Sequence, residues 1–200
     1  MKFFYHKFNN YEAGCDEAGR GCLAGPVVAA AVIFDKKYKN KWINDSKKLN
    51  ETQRNELREE IEEKALTWAV AYVYQDMIDQ INILNASILA MHKALDQLTH
   101  TPDFILVDGN KFNPYKNIPF KTVVQGDSKY MSIAAASILA KTHRDAYMVK
   151  LHADFPQYDW INNKGYPTPN HRKALAKYGI TIHHRKSFNL LPPEQLKLDL

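Results

Sequence analysis

The fold is decided by residues 11–34, which read YEAGCDEAGRGCLAGPVVAAAVIF. A short segment ending in two acids leads into a glycine-rich turn, and the β-prone apolar run from Val27 to Phe34 follows. Strand-forming segments on either side of such a turn are typical of a hairpin. We therefore expect two paired strands here, with Asp16 and Glu17 at the end of the first.

Helical and strand patterns alternate along the rest of the chain. Asn50 can cap a helix that runs to about Ala65, with Gln53 placed for a capping box, and Leu57, Ile61 and Leu66 would mark its inner face. Strands are predicted at 67–74, 104–107 and 120–124, helices at 78–98, 131–151 and 169–178, a Gly/Pro-rich loop at 162–170, and a last helical turn or two at 192–200. This order predicts an α/β fold, a mixed β-sheet flanked by helices, with a small helical appendage at the C-terminal end.

Length and composition indicate an ordinary globular protein. The chain has 200 residues, of which 45% are hydrophobic and 24% are charged. This is enough for one core, and we expect a single domain over 1–200, with the main sheet in about 1–160 and a loop and helical segment in about 161–200. No run approaches the length that spans a membrane and no signal peptide is recognisable, so we expect a cytoplasmic protein without a membrane partner.

The charge balance favours polyanionic partners only mildly. Lysine and arginine exceed the acids by 27 to 22, which gives a formal net charge of +5. Such an excess attracts phosphates, although many proteins without a nucleic-acid partner share it. The two cysteines, Cys15 and Cys22, are too few for a cysteine-rich zinc site. Nothing in the sequence indicates an obligate dimer, and we expect a monomer.

Four acidic residues lie at the ends of predicted strands, where a catalytic or metal-binding site is expected. Asp16 and Glu17 precede a glycine-rich backbone, and Asp108 and Asp127 each follow an apolar β-prone run. Alone, each would be an ordinary turn or cap residue, but open α/β sheets bind ligands beyond the carboxyl ends of their strands, where all four could converge. Clustered carboxylates repel one another unless cations neutralise them.

The types of candidate ligand limit which metals and which reactions the site could support. Carboxylates without paired Cys or His ligands suit Mg2+ or Mn2+. Two such ions about 4 Å apart can activate a water and stabilise the leaving oxygen of a phosphoryl displacement. A P-loop nucleotide hydrolase is disfavoured because the nearest candidate, Gly19 to Gly25, lacks the lysine of that motif.

The motifs resemble the ribonuclease HII family, in that family's order and over roughly residues 14–188. The stretch Ala13 to Gly21, with Leu23 to Val27 after it, looks like the family's opening motif. Further matching stretches are Asp45-Ser46-Lys47-Lys48-Leu49, Val107-Asp108-Gly109, Gly126-Asp127-Ser128-Lys129, 133–141, Arg144-Asp145, Lys164-Gly165-Tyr166 and His184-Arg185-Lys186-Ser187-Phe188. Cys22, where the family would have proline, and Ser128, where it would have alanine, depart from the pattern at positions that should supply no metal ligand.

The resemblance implies roles for individual residues. Asp16, Glu17, Asp108 and Asp127 would be the catalytic metal ligands of a two-metal site for Mn2+ or Mg2+ in a ribonuclease H-like sheet. Gly19, Arg20 and Gly21 would read the ribonucleotide 2′-hydroxyl through backbone contacts. Tyr166 would stack at the step from ribose to deoxyribose, although on its own it could be an ordinary loop tyrosine.

Basic residues and one further acid are left with two interpretations. Lys47 and Lys48, and also Arg185 and Lys186 near His183 and His184, could contact phosphates or be solvated surface charges. The adjacent histidines make a poor metal pair. Asp145 could join the site or pair with Lys141 one turn earlier.

The leading hypothesis is an endonuclease that hydrolyses the RNA strand of RNA/DNA hybrids. It would also cut on the 5′ side of ribonucleotides embedded in duplex DNA, leaving 3′-hydroxyl and 5′-phosphate ends, and would serve ribonucleotide removal and primer RNA processing. The alternatives are a hybrid nuclease of the related ribonuclease HIII type and a non-catalytic nucleic-acid-binding protein.

Overall fold

A five-stranded mixed β-sheet lies at the centre of the molecule. The computed structural model describes residues 1–5, 11–44, 46 and 49–191. The strands are β1 (Glu12–Ala18), β2 (Val27–Ile33), β3 (Thr67–Val73), β4 (Phe104–Asp108) and β5 (Phe120–Val123), in the order β3-β2-β1-β4-β5. β1, β2 and β3 pair antiparallel, whereas β4 runs parallel to β1 and to β5. The predicted hairpin and mixed sheet are therefore confirmed, and β1 is the central strand.

Helices cover both faces of the sheet. They are α1 (Glu51–Lys64), α2 (Gln75–Asp96), α3 (Met131–Asp154), α4 (Trp160–Asn163) and α5 (Pro169–Tyr178). Alternate residues of β2 pack into different clusters, Ala29 and Ala31 with α2 and Ala30 and Val32 with α1 and α3. A strand that is buried on both faces is apolar throughout, which explains the uninterrupted run 27–34.

Helix α3 approaches β1 unusually closely. A Cβ atom on Gly14 would lie 2.2 Å from the backbone carbonyl carbon of Ser132, so only glycine fits at this position of β1. The small residues Ala134, Ala135 and Ala136 of this helix are all buried and belong to the cluster that includes Ala30 and Val32 of β2. The first turns of α3 are thereby brought beside the strand that carries the two adjacent acids.

Helix α1 follows its prediction except at its end. Gln53 N–H donates to Asn50 Oδ1 at 2.9 Å, and Asn50 N–H donates to Gln53 Oε1 at 3.0 Å, which is the expected capping box. Leu57 and Ile61 are buried, but the assignment of Leu66 to the inner face is wrong. Leu66 lies beyond the last helical residue and is 38% exposed, since the chain has already turned toward β3.

Two other predicted segments differ from the structure. The second helix begins earlier than predicted, at Gln75, and is interrupted at Asn82, whose backbone is not helical (φ 66°, ψ 165°). Asn82 Oδ1 accepts a hydrogen bond from Asn85 N–H at 3.1 Å, so the interruption restarts the helix with a local cap. The segment 162–170, predicted as a loop, begins inside the short helix α4. The helical turn predicted at 192–200 lies outside the described residues.

The C-terminal helices pack on the end of α3 and on the glycine-rich turn. Their cluster comprises Leu23, Ala24, Met148, Leu151, Tyr158, Trp160, Ala174 and Leu175. The appendage predicted at this end therefore contacts the turn that follows the two adjacent acids. Within the described ranges, none of the helices has the length and apolar character that crossing a membrane requires.

Candidate active site

A cavity of about 320 Å³ opens at the carboxyl ends of β1 and β4. Because these strands are parallel neighbours, their last residues meet at one edge of the sheet, where ligand sites of open α/β sheets are found. α3 supplies Ser137 and Lys141 to the same cavity. The lining residues are Asp16, Glu17, Ala18, Gly19, Arg20, Gly21, Ser46, Arg54, Asp108, Ser137, Lys141 and Tyr166.

Three of the four predicted acids line this cavity, and they repel one another. Burial first, and then the charges of Glu17 and Asp108, raise the pKa of Asp16 well above its ordinary value. Burial also raises the pKa of Glu17, against the opposing effect of Arg20, whose Nη1 lies 3.2 Å from Glu17 Oε1. Keeping both carboxylates ionised therefore costs free energy, which a bound cation would recover.

Asp127 has a different position from the other three acids. It is buried, in the 3-10 turn Gly126–Ser128 between β5 and α3, and it is not one of the residues that line the cavity. Its neighbour Gly126 donates its N–H to Asp108 Oδ1 at 2.6 Å, so the turn is attached directly to the third acid. The structure thus places Asp127 next to the acidic cavity, one residue beyond this contact.

The acids fit a hard divalent cation by their chemistry. Among the residues that the structure describes, no group of three or more His, Cys, Asp or Glu side chains is already arranged as a metal site. However, Asp16, Glu17 and Asp108 share one cavity and carry only oxygen donors, and burial and mutual repulsion raise the pKa of the first two. Oxygen donors and concentrated negative charge are what Mg2+ and Mn2+ prefer.

The two glycines on either side of Arg20 have different surroundings. Gly19 adopts φ +92°, and a Cβ atom there would lie 2.0 Å from Arg144 Nε, so the fold itself requires glycine. Gly21 is exposed, and a Cβ atom there would meet nothing within 4 Å. The Gly21 backbone is therefore open to a ligand that approaches from solvent.

Arg185 holds the turn between β1 and β2 from inside the protein. It is fully buried, and its guanidinium donates to the carbonyl oxygens of Gly19 (2.7 Å), Arg20 (2.9 Å) and Gly25 (3.0 and 3.1 Å). Both interpretations of Arg185 from the sequence, phosphate contact and solvated charge, are wrong. A guanidinium that lies behind the turn and donates to three carbonyl oxygens does not reach a phosphate in solvent.

Arg144 makes a second set of contacts with the same turn. It is also fully buried, and it donates to the carbonyl oxygens of Pro26 (3.0 Å), Ala24 (3.1 Å) and Lys164 (2.8 Å). Lys164 stands two residues before Tyr166. Arg144 thus connects the glycine-rich turn to the loop that carries the tyrosine, a role that the sequence did not indicate.

Tyr166 lines the cavity with 38% of its surface exposed. Lys141 Nζ lies 5.6 Å and Arg144 Cζ 5.8 Å from the centre of its ring, which places the ring among cations. Lys141 also pairs with Asp145 at 2.8 Å. Of the two interpretations of Asp145, the structure therefore supports the pairing with Lys141.

Four polar residues of the cavity were not predicted as site residues, namely Ser46, Arg54, Ser137 and Lys141. Ser137 Oγ lies 3.0 Å from Ser46 Oγ, and Arg54 Nη1 donates to the Ser46 carbonyl oxygen at 3.2 Å. Ser46, Ser137 and Lys141 all stood inside matching motifs, which were the available signal, whereas Arg54 looked like one more charged position on α1. Lys47, predicted to bind substrate, and its neighbour Lys48 lie outside the described residues.

Comparison with known proteins gives consistent results. A family model described as Ribonuclease HII matches residues 13–191. The Ribonuclease HII of Christiangramia forsetii is 62% identical over 187 residues, which cover 94% of both chains. The ribonuclease H2 of Pyrococcus horikoshii superposes with a TM-score of 0.76 at 27% identity, over 90% of this chain and 94% of that one.

A more distant structure shares the fold. Bst-RNase HIII, determined in complex with Mn2+, has a TM-score of 0.71 at 19% identity. The match covers 92% of this chain and 69% of that protein. Together with the Pyrococcus horikoshii structure, it shows that the mixed sheet and its flanking helices form a ribonuclease H-like fold.

Proposed function

Since this chain belongs to the ribonuclease HII family of endoribonucleases, we propose that it hydrolyses the RNA strand of RNA/DNA hybrids and cuts duplex DNA on the 5′ side of embedded ribonucleotides. The products would carry 3′-hydroxyl and 5′-phosphate ends. The observation that supports this most strongly is the cavity that joins three carboxylates, an exposed glycine backbone and Tyr166.

The carboxylates would hold the metal ions. Asp16, Glu17 and Asp108 would bind Mg2+ or Mn2+, with Asp127 as the fourth ligand beside them. When bound, two such ions supply an activated water and stabilise the leaving oxygen of the phosphodiester. The chain contributes the fixed position of the acids, because Gly14 lets α3 pack against β1 and Gly126 N–H orients the Asp108 carboxylate.

The glycine-rich turn would recognise the ribose. RNA differs from DNA by the 2′-hydroxyl, which can both donate and accept a hydrogen bond. The backbone of Gly19, Arg20 and Gly21 lines the same cavity as the acids, and the buried guanidinium of Arg185 fixes two of its carbonyl oxygens. A turn held from behind in this way can present its outer side to a ribose without rearranging.

Tyr166 would stack at the step from ribose to deoxyribose and so recognise it. Aromatic rings stack on nucleic-acid bases and sugars, and this ring is partly exposed in the catalytic cavity.

Lys141 and Arg54 line the cavity on the side of α3 and α1, where they would contact phosphate oxygens together with Lys47. In the cell, such an enzyme would remove misincorporated ribonucleotides and process RNA primers as a cytoplasmic monomer.

Cleavage of two substrates tests this function. The purified protein is incubated with a DNA duplex that contains one ribonucleotide and with a long RNA/DNA hybrid, each with Mg2+, with Mn2+ and with a chelator. We expect metal-dependent cleavage of both, with the single cut on the 5′ side of the ribonucleotide and products that can be extended from a 3′-hydroxyl. Absence of cleavage with both metals refutes the proposal, and chelator-resistant binding without cleavage would indicate a non-catalytic nucleic-acid-binding protein.

A substitution separates the role of the ring from the chemistry. Tyr166→Ala should reduce kcat/KM on the single-ribonucleotide duplex about tenfold or more, because stacking contributes about 1–3 kcal/mol per base. The loss on the long hybrid should be smaller. Tyr178→Ala, at an exposed position at the end of α5, is the matched control, and equal losses on both substrates would argue against a junction role.

A further inference from the structure

Two buried histidines touch each other behind Tyr166 and the glycine-rich turn. His171 of α5 is 0% exposed and His184 is 1% exposed. Their Nε2 atoms lie 3.2 Å apart. Neither side chain lines the catalytic cavity, and the proposed function does not use either of them.

The hydrogen-bond partners of His171 determine which of its ring nitrogens carries the hydrogen. Its Nδ1 lies 2.9 Å from the carbonyl oxygen of Tyr166, which can only accept, so Nδ1 carries the hydrogen. The indole Nε1–H of Trp160, which can only donate, points at His171 Nε2 at 3.1 Å. His171 is therefore a neutral ring that is protonated on Nδ1 and accepts on Nε2.

The partners of His184 fix the opposite tautomer. Its Nδ1 accepts a hydrogen bond from Thr181 N–H at 2.9 Å, so this nitrogen is bare. A neutral His184 must then carry its hydrogen on Nε2, the atom that faces His171 Nε2. His171 Nε2 has a single lone pair, which the Trp160 indole N–H and the His184 Nε2–H share, so the contact between the rings is one branch of a three-centre hydrogen bond.

Each histidine belongs to a different part of the proposed substrate site. His171 donates to the backbone of Tyr166 itself. His184 forms an isolated antiparallel bridge with Ala24 in the glycine-rich turn, and its neighbour Arg185 donates its backbone N–H to the Leu23 carbonyl oxygen at 2.9 Å. The ring-to-ring hydrogen bond therefore joins the segment that carries the aromatic ring to the segment that carries the glycines.

We propose that His171 and His184 are positioning residues that set the spacing between Tyr166 and the Gly19–Pro26 turn, and thereby the preference for a ribose–deoxyribose step over a continuous hybrid. This inference rests on the proposed function, because it concerns the substrate preference of that same site. The chemistry itself is carried by the acids and their metal ions, and a continuous hybrid offers a ribose at every step, so cleavage of a long hybrid should depend less on this spacing.

Asparagine substitutions remove the contact between the rings while keeping each local bond. In His171→Asn the side-chain amide can still donate to the Tyr166 carbonyl, and in His184→Asn the side-chain oxygen can still accept from Thr181 N–H. His183→Asn is the matched control, because its ring lies in the same segment but packs on Phe155 and Trp160.

The measured quantity is the ratio of kcat/KM on the single-ribonucleotide duplex to kcat/KM on the long hybrid. Both substitutions should lower this ratio about fivefold to tenfold, which corresponds to the loss of one buried hydrogen bond. The double variant should fall no further, because both changes remove the same contact, and His183→Asn should keep the wild-type ratio. A ratio that stays unchanged, or equal losses on the two substrates, overturns the proposal.

The assay distinguishes this inference from the function on which it rests. If the wild-type protein cleaves neither substrate, the proposed function fails, whereas unchanged selectivity in active variants rejects only the positioning role. If the asparagine variants do not fold, the histidine nitrogen signals of the wild-type protein decide by NMR. Nδ1–H on His171 and Nε2–H on His184 support the pair, and any other assignment overturns it.

Discussion

Gly19 and Gly21 are the same residue type for two different reasons. At Gly19 the backbone is left-handed and Arg144 occupies the space that a Cβ atom would need, so the protein itself demands glycine. At Gly21 the space for a Cβ atom is empty, and the chain gives no structural reason for glycine. The proposed ribose contact would supply such a reason, because a ligand would then approach this backbone closely.

This difference gives a paired prediction. Gly19→Ala should lower the free energy of unfolding by at least about 1–2 kcal/mol, because alanine is strained at this φ and displaces Arg144. Gly21→Ala should leave it within about 0.5 kcal/mol of the wild type, as for most exposed positions, while cleavage at a ribonucleotide falls about tenfold. Chemical denaturation and the single-ribonucleotide assay measure the two effects, and an active, stable Gly21→Ala variant would contradict the proposed ribose contact.

Asp16→Asn should separate catalysis from stability. We expect kcat to fall about 10³-fold or more, because a charged ligand is lost where charge develops in the reaction. The free energy of unfolding at neutral pH should not decrease, since burial and the charges of Glu17 and Asp108 raise the pKa of Asp16 and make its ionised form costly. A markedly less stable variant would mean that Asp16 is needed for folding.

The same variant tests the metal without measuring activity. Mg2+ or Mn2+ should raise the Tm of the wild-type protein, because a ligand that binds only the folded state stabilises it. The rise should be lost in Asp16→Asn and kept in Asp154→Asn, a control at the exposed end of α3. Equal metal-induced shifts in all three proteins would place the binding site elsewhere.

The turn between β1 and β2 is an element that other elements hold in shape. Gly19 and Gly25 adopt left-handed backbone, and the guanidinium of Arg185 donates to the carbonyl oxygens of both. Arg185→Lys should therefore lower the free energy of unfolding by about 2–4 kcal/mol, because one ammonium group does not match the directions of three carbonyl oxygens.

Lys186→Ala is the control for this substitution. Lys186 is exposed and attaches to α2 through its backbone N–H, which donates to Asp79 Oδ2 at 2.9 Å and is kept in alanine. Urea denaturation should show a loss for Arg185→Lys and almost none for Lys186→Ala. Equal stability of the two variants would mean that the contacts of Arg185 with the turn contribute little.

The sequence predicted those elements whose signals are local. The capping box of Asn50 and Gln53 lies within four residues, and the hairpin follows from one apolar run and one glycine-rich turn. The break of α2 at Asn82 was missed because asparagine at helical spacing does not reveal a positive φ. Leu66 fitted the helical period but stands after the last turn of α1.

The family resemblance and the positions of the strand ends predicted part of the candidate site. Asp16, Glu17 and Asp108 line one cavity and Asp127 does not, and the role of all four as metal ligands stays a prediction. The inward position of Arg185 was not predictable, because its partner Arg20 is 165 residues away and no local pattern marks a buried guanidinium.

For the molecule as a whole, stability should fall as the pH decreases from about 6.5 to 4. Burial first, and then the charges of His171 and His183, lower the pKa of His184 from 6.5 to about 4. The unfolded state therefore binds a proton across this window that the folded state does not, and stability present above 6.5 is lost toward 4. One such shift corresponds to at most about 3 kcal/mol.

The acids of the cavity act in the opposite direction. The folded pKa values of Asp16 and Glu17 are raised, so acidification relieves their repulsion and offsets part of the loss. Comparing urea denaturation of the wild type and His184→Asn from pH 7 to pH 4 cancels the acids, which are common to both. The wild type should lose more stability than the variant, and parallel curves would show that His184 does not titrate as expected.

The buried position of Arg185 also bears on the order in which the protein becomes competent during synthesis. All four acids have been synthesised by residue 127, but the Arg185 guanidinium, which donates to two carbonyl oxygens of the glycine-rich turn, is added only at residue 185. Folding of a growing chain proceeds from its N-terminal end. A growing chain would thus contain all four acids before it contains the guanidinium that holds the turn, so the proposed discrimination of RNA from DNA would be acquired after the proposed metal ligands.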